Sequence, residues 1–369
     1  MSLFDKFGLI YFLIPFLFII ENKWSVIFSI LLGRSTYNIK IKDAPILKFQ
    51  SYEYSLMISV LGVLTYSTEF NFKNNNQFEI SFDLKNKFLL SLDRSSLEDI
   101  NLIQTLFGGL RHGADFEMSE NFIDDNVKRD KSFKIFKNNG RRIIQTTDGI
   151  KFYLDSIHPG NTIVETFVQK IHQVNSKQSF DGKIVVDIGA ECGDTALFYS
   201  KLGAKVFAFE PIKEHFNQLI ENINLNQKLK ERITPINAAI GKDGELIFHY
   251  GVQSITKSTS FIKNIHEKRS REEKVTGYSF KSAFKKFDIE KIDLLKMDCK
   301  GCECFLKEND LTNVDSIKIE YDSEFASLKL DKLLEILEKA GFRNIIYRIN
   351  PISNRISNRD FCHIFGTKN

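Results

Sequence analysis

The chain has 369 residues, 43% of them hydrophobic and 27% charged, with a net charge of +4. That is too much chain for one typical domain and enough apolar material for a sizeable core. Acids and bases are interspersed, which excludes a strongly basic nucleic-acid binder, and five cysteines, four of them beyond residue 298, exclude a secreted disulfide framework, so a reducing cytoplasm is the expected compartment.

The first 33 residues form an apolar segment. Phe7 to Ile20 is uncharged and aromatic-rich and contains Pro15; Trp24 to Leu32 is a second apolar run after Glu21, Asn22 and Lys23. A membrane span needs about 20 apolar residues, and the first run is shorter. No small-residue cleavage site follows, which argues against a signal peptide. A buried or interfacial helix pair, peripheral membrane attachment through residues 7–32, and a true span all remain open.

Residues 34–140 read as an accessory α+β region. Asn38 to Lys42 and Phe78 to Phe82 alternate with period two, as strands do, and Ser51 to Tyr66 is apolar at helical spacing. The Asn-rich stretch Phe70 to Gln77 reads as a loop. Gly108, Gly109, Arg111 and His112 suggest a loop with a structural histidine, and Glu117 to Lys137 a linker or exposed helix. No internal repeat is visible.

From residue 141 to 369 the pattern changes. Ile143 to Leu154 suggests a hairpin turning at Asp148-Gly149, and Asn161 to Val174 a helix. Strands are then expected at Ile184–Asp187, Lys205–Phe209, Ile233–Asn237, Ile292–Met297 and Ser316–Glu320, with helices at Thr195–Leu202, Glu214–Asn226 and Leu330–Ala340. Glu245 to Tyr250 would be an accessory strand, and Ile345–Ile349 with Phe361–Phe365 an antiparallel hairpin at one edge. Alternating β and α segments imply an α/β, doubly wound, mostly parallel sheet with right-handed crossovers.

Four motifs fall at strand ends, where open α/β sheets bind ligands. In Val185-Val-Asp-Ile-Gly-Ala-Glu-Cys-Gly-Asp-Thr195 a buried strand reaches Asp187, and Gly189 and Gly193 allow a sharp turn and close approach to a ligand. The spacing is not that of the dinucleotide fingerprint, and no P-loop lysine is present. In Phe207-Ala-Phe-Glu-Pro211, Glu210 ends the second strand 23 residues after Asp187, where a carboxylate can accept both ribose hydroxyls of a nucleoside. Asn237-Ala-Ala-Ile-Gly241 would line the adenine end. Leu294-Leu-Lys-Met-Asp-Cys-Lys-Gly-Cys-Glu303 brings Lys296, Asp298 and Glu303 to the same edge.

These motifs, in this order, resemble the FkbM family of methyltransferases over about residues 141–369. The resemblance implies a class I methyltransferase (Rossmann-like) fold and S-adenosylmethionine as cofactor. It also implies methyl transfer, usually to an oxygen of a sugar or related product. The residues matching Asp187, Gly189 and Glu210 would hold the cofactor, and the residue matching Asp298 would sit beside the reactive methyl. The cofactor-binding set is therefore Asp187, Gly189, Ala190, Gly193, Asp194, Thr195, Glu210, Asn237 and Ala238. Two positions depart from the family's usual pattern: Glu191 stands where Asn is usual, and Lys300 where Glu is usual.

A hydroxyl acceptor must lose its proton as it attacks, and a nearby carboxylate suffices. Asp298 is the first candidate base and Glu303 the second; Asp298 is also suited to capping the next helix. Lys296 would orient an anionic acceptor or pair with Asp298. Cys299, Cys302 and Cys304 invite a zinc reading, but they fall inside a motif already explained, and no metal is expected. Lys263 to Lys274 is a charged run suited to a solvated loop or a lid. The expected partner is a small-molecule or glycan acceptor, with no nucleic acid. N-methylation, protein methylation and a non-catalytic cofactor-binding module in a glycan-assembly complex stay as alternatives.

Overall fold

The computed structural model describes residues 3–41, 46–66, 69–74, 77–83, 87–93, 132–146, 148–156, 159–168, 171–172, 179–251, 270–323, 325–349 and 361–368. Gly108 to His112 and residues 263–269 lie outside the described residues. The chain divides into two compact units, one formed by residues 1–116 with 129–168, the other containing residues 169–369.

In the first unit, helices α1 (Leu3–Leu13) and α2 (Lys23–Leu31) pack on each other, and Pro15 lies in a single 3-10 turn at Ile14–Phe16. Leu13, Ile20, Val26 and Ile30 are buried, whereas Phe7, Tyr11, Phe12, Phe18, Trp24, Phe28 and Leu32 are each more than half exposed. Trp24, Phe28 and Leu32 recur every four residues, which places them on one helical stripe. No helix among the described residues is long and apolar enough to cross a membrane. Strands β1 (Thr36–Ile39) and β2 (Leu47–Gln50) pair antiparallel.

A six-stranded sheet follows in chain order: β3 (Glu69–Asn74), β4 (Gln77–Asp83), β5 (Lys87–Asp93), β6 (Ser132–Asn138), β7 (Arg141–Thr146) and β8 (Lys151–Tyr153). The expected loop at Phe70 to Gln77 is mostly strand; alternation of Phe70 and Phe72 with polar neighbours outweighs the asparagines. The stretch from Ser132 onward is also strand rather than linker, since β6 covers Ser132–Asn138. The hairpin β7–β8 turns at Asp148-Gly149 and joins this sheet, and a helix of π-type winding follows at Pro159–Val168.

The second unit is built on a seven-stranded sheet. Its strands are β9 (Ile184–Ile188), β10 (Lys205–Phe209), β11 (Ile233–Ile236), β15 (Leu294–Met297), β16 (Ser316–Asp322), β17 (Asn344–Ile349) and β18 (Phe361–Thr367). The spatial order is β11-β10-β9-β15-β16-β18-β17, and β18 alone runs antiparallel to its neighbours. Thus the last two strands do form an antiparallel hairpin, with β18 inserted one position in from the edge. Helices Asp194–Lys201, Lys213–Leu225 and Leu330–Lys339 supply crossovers.

A three-stranded sheet stands apart from this one: β12 (Ala239–Ile240), β14 (Ser270–Tyr278) and β13 (Gly244–Gly251). Residues 270–274, expected in a loop or lid, are strand, because β14 pairs along the whole of β13.

The two faces of the large sheet differ. Val186, Ile188, Leu295, Met297, Ile317 and Ile319 point into the main core with helix Leu330–Lys339. Side chains alternate along a strand, so Asp187, Lys296 and Lys318, which lie directly opposite one another in register, share the other face. All three are buried. A row of ionisable groups thus crosses the interior of an otherwise apolar sheet and leads to its carboxyl edge.

Candidate active site

The first turn leaves β9 through three left-handed residues: Gly189 (φ +79°), Glu191 (φ +44°) and Gly193 (φ +89°). The N–H groups of Gly189 and Ala190 both donate to the Phe209 carbonyl at 3.0 Å, which stitches the turn to β10. A Cβ on Gly189 would lie 1.9 Å from the Asp298 carbonyl oxygen, and one on Gly193 would lie 2.4 Å from Leu219. The glycines therefore serve close approach of protein to protein here, not only of protein to ligand. Asn222, on helix Lys213–Leu225, is buried and donates to the Cys192 carbonyl at 2.9 Å. This anchor was not foreseen; a polar residue on the buried face of an amphipathic helix is its sequence signal.

Asp187 is fully buried. Its Oδ2 accepts from the Thr195 hydroxyl at 2.6 Å, and its Oδ1 lies 3.0 Å from Lys296 Nζ. Lys296 also donates to the Gly189 carbonyl at 3.1 Å and stands 4.0 Å from Asp298 Oδ2. Burial alone would lower the Lys296 ammonium, but Asp187, Asp298 and Asp194 around it hold it firmly protonated. Lys296 is therefore paired inside the protein, with Asp298 as the more distant partner. Asp194 opens the helix that follows, behind the left-handed Gly193.

Glu210 ends β10 as expected. Its Oε2 accepts from the Glu191 N–H and its Oε1 from the Ile212 N–H, each at 2.9 Å, with His215 Nδ1 3.7 Å away. A carboxylate offers about four lone-pair sites, so acceptor capacity remains for two hydroxyls. Asn237 Nδ2 donates to the carbonyls of Glu210 (2.9 Å) and Pro211 (2.8 Å), so this amide fixes the bend after β10, and Ala238 is buried beside it. The Glu191 carboxyl sits in the turn with its Oε1 buried and without a hydrogen-bond partner; burial pushes its pKa up to about 8, with His215 opposing. An unsatisfied buried polar atom beside a carboxylate with spare lone pairs fits a polar, cationic nucleoside derivative.

The second turn leaves β15 at Asp298, whose side chain is about a third exposed. Burial would raise this carboxyl, but Lys296, Lys300 and Lys318 together hold it below the usual carboxylate range. Lys300 is left-handed (φ +47°), Gly301 follows at φ +122°, and Glu303 accepts from the Gly301 N–H at 3.0 Å. Glu303 is buried and committed to its own loop; burial lifts its pKa to about 7.

Cys299 and Cys302 form a disulfide, and the Cys304 sulfur accepts the Ser327 N–H at 3.2 Å. Among the described residues, Cys299, Cys302 and Glu303 bring ligand atoms within 4.8 Å, but Cys304 does not join them. Beyond Asp298 the same edge carries Glu320 on β16 and His363 on β18, which face each other in register. Sequence reading singled out neither as a site residue.

A seven-stranded sheet in this order, with one reversed strand, a glycine turn after its first strand and a carboxylate closing its second, is the class I methyltransferase fold, whose cofactor is S-adenosylmethionine. The sequence agrees: residues 187–343 match the Methyltransferase FkbM domain.

Among solved structures, the chain is similar to methyltransferase FkbM from Methylobacillus flagellatus KT, at 15% identity and TM-score 0.35, over 51% of this chain and 44% of that one. It is also similar to M. jannaschii TYW2 in complex with AdoMet (17%, TM-score 0.33, 63% and 84%). A third is the precorrin-6y C5,15-methyltransferase from Geobacter metallireducens GS-15 (13%, TM-score 0.28, 52% and 82%). The chain spans less than half the length of the first of these. No curated protein matches the sequence.

Proposed function

We propose that the chain is an O-methyltransferase acting on a hydroxyl of a sugar or related glycan acceptor. The observation that carries this reading is the run of polar groups along the carboxyl edge of the sheet, next to the cofactor turn: Asp298, Lys300 and Glu320 are each partly exposed there. Such a mixture of carboxylates and a cation suits a polyol, which needs hydrogen-bond acceptors and a place to leave a proton. Bound S-adenosylmethionine supplies an electrophilic methyl group. Glu210 would hold its ribose, the Gly189–Gly193 turn would shape its pocket, and Asp298 would stand beside the sulfonium, a carboxylate facing a cation. Asp187, Thr195 and Lys296 support that turn from below. Fixing donor and acceptor in line contributes up to roughly 7–11 kcal/mol in favourable cases.

We further propose that the exposed stripes of α1 and α2 dock on a lipid surface. Tyr11 and Trp24 have the amphipathic rings favoured at a membrane interface, and Lys6, Lys23 and Arg34 flank the apolar stretch with positive charge. An enzyme held there would meet lipid-linked glycans.

The test is incubation of the full chain with methyl-labelled S-adenosylmethionine and separated soluble and lipid-linked glycan fractions. Label recovered as a base-stable sugar methyl ether supports the reading. Label recovered on amines or protein, or none from folded protein that binds the cofactor, overturns it.

A further inference from the structure

We propose that Glu320, set between Lys300 and His363 at the carboxyl end of β16, takes the proton from the acceptor hydroxyl. The inference rests on the hydroxyl-acceptor reading and names the group that completes that chemistry.

Lys296 lies opposite Lys318 and Met297 opposite Ile319, so the next pair along β15 and β16 is Asp298 and Glu320. Glu320 in turn faces His363 on β18. Gly189, Asp298, Glu320 and His363 thus follow one another across the edge of the sheet, at about 4.8 Å per strand. Asp298 is one strand from the cofactor turn and Glu320 two. A span of about 10 Å is room for a methyl group and the hydroxyl that receives it.

The other carboxylates on this edge are poorly suited to the task. Asp298 is held as an anion by three lysines, which makes it a weak base. Glu303 is turned into its own loop, where it accepts from the Gly301 N–H. Glu320 is different. Its side chain is partly open to solvent, and Lys300 Nζ and His363 Nδ1 each stand 4.0 Å from a carboxylate oxygen, beyond hydrogen-bond reach.

The surroundings set its basicity. Burial and the charge of Asp298 raise the Glu320 carboxyl to about 7, against the opposing pull of Lys300, Lys318 and Lys296. Burial and Lys318 push His363 down to about 3, so the imidazole stays neutral and does not strip Glu320 of its basicity. A base poised near neutrality is the useful kind.

The step balances without another reactant. The acceptor oxygen bonds to the methyl carbon while the S–CH3 bond breaks and its electron pair stays on sulfur. The hydroxyl proton passes to a Glu320 oxygen and then to solvent. The products are a methyl ether and S-adenosylhomocysteine.

Two measurements test this on the full chain. Carbon-13 NMR of carboxyl-labelled glutamate should contain resonances for both Glu303 and Glu320 with midpoints near pH 7, of which one vanishes in Glu320→Gln while the other vanishes only in Glu303→Gln; a Glu320 resonance titrating in the ordinary carboxylate range overturns the proposal without any acceptor. In the labelled-methyl assay, Glu320→Gln should lower kcat by at least about 100-fold with S-adenosylmethionine binding unchanged. Glu320→Asp, which keeps the carboxylate, should retain partial turnover and move the acid limb of the pH profile. Ether label that survives Glu320→Gln overturns the base alone. No ether label from wild-type protein overturns the hydroxyl-acceptor reading and the base with it.

Discussion

Lys296 Nζ lies 3.0 Å from Asp187 Oδ1, and both side chains are at least 96% buried. Removing one partner leaves a charge in the sheet interior, which costs about 3–5 kcal/mol. Lys296→Met should therefore destabilise the protein by that amount in denaturant unfolding. Adding Asp187→Asn should recover much of the loss, since the uncompensated charge is gone. A double variant no more stable than the single one would contradict this pairing.

Glu210 holds the N–H groups of Glu191 and Ile212 besides any ribose. Glu210→Ala should weaken S-adenosylmethionine binding by at least about tenfold and lower stability by about 1–3 kcal/mol for the N–H groups left bare. Calorimetric titration and thermal unfolding measure the two effects separately. Retained affinity would remove Glu210 from the cofactor site.

Gly189→Ala places a Cβ 1.9 Å from the Asp298 carbonyl at φ +79°. A loss of about 4 kcal/mol is expected from strain and forced separation of the two turns. Unfolding within about 1 kcal/mol of wild type would mean the turns do not touch in solution.

Glu191 gives a pH dependence of definite sign. Its folded pKa, about 8, lies above the ordinary value of about 4.3 for an unfolded chain. Between those values the folded state holds a proton that the unfolded state has released, so its contribution is full below the unfolded value and declines as pH rises toward 8. Without ligand, Glu191→Gln should raise Tm at pH 8.5 by about 2–6 °C and change little at pH 4. An equal gain at both pH values would argue against burial of an ionising group.

Trp24 is the sole tryptophan and is 67% exposed. If α2 docks on lipid, its emission should shift to the blue with anionic phospholipid vesicles. Trp24→Ala/Phe28→Ala should abolish co-sedimentation and leave cofactor affinity intact. Equal binding by wild type and variant, or none by either, would refute the lipid surface; concentration-dependent dimerisation would point to a second copy instead.

Much of the second unit was legible because local pattern and tertiary role agree there. Ile184 to Val186 is apolar on both faces, as a central parallel strand is, and the left-handed Gly189 and Gly193 mark the turn beyond Asp187. The insertion of β18 between β16 and β17 was not legible, since strand order depends on distant partners. Glu320 escaped notice because Ser316-Ile-Lys-Ile-Glu320 alternates like any half-exposed strand; only burial on both faces turns Lys318 and Glu320 into exceptions. Asn237 was recognised as a motif residue, but its bonds to the carbonyls of Glu210 and Pro211 belong to a bend that spacing does not reveal.

The backbone contact between Gly189 and Asp298 joins two loops that, on the proposed function, have different clients, one the donor and one the acceptor. A ligand that moves either loop must move the other, so the two binding events share a coupling free energy. By linkage, whatever factor the donor contributes to acceptor affinity, the acceptor returns to the donor. Spent cofactor, lacking the methyl group and the positive sulfur, would set that junction differently. Release of the methylated product and exchange of the cofactor then become one cooperative event rather than two independent ones.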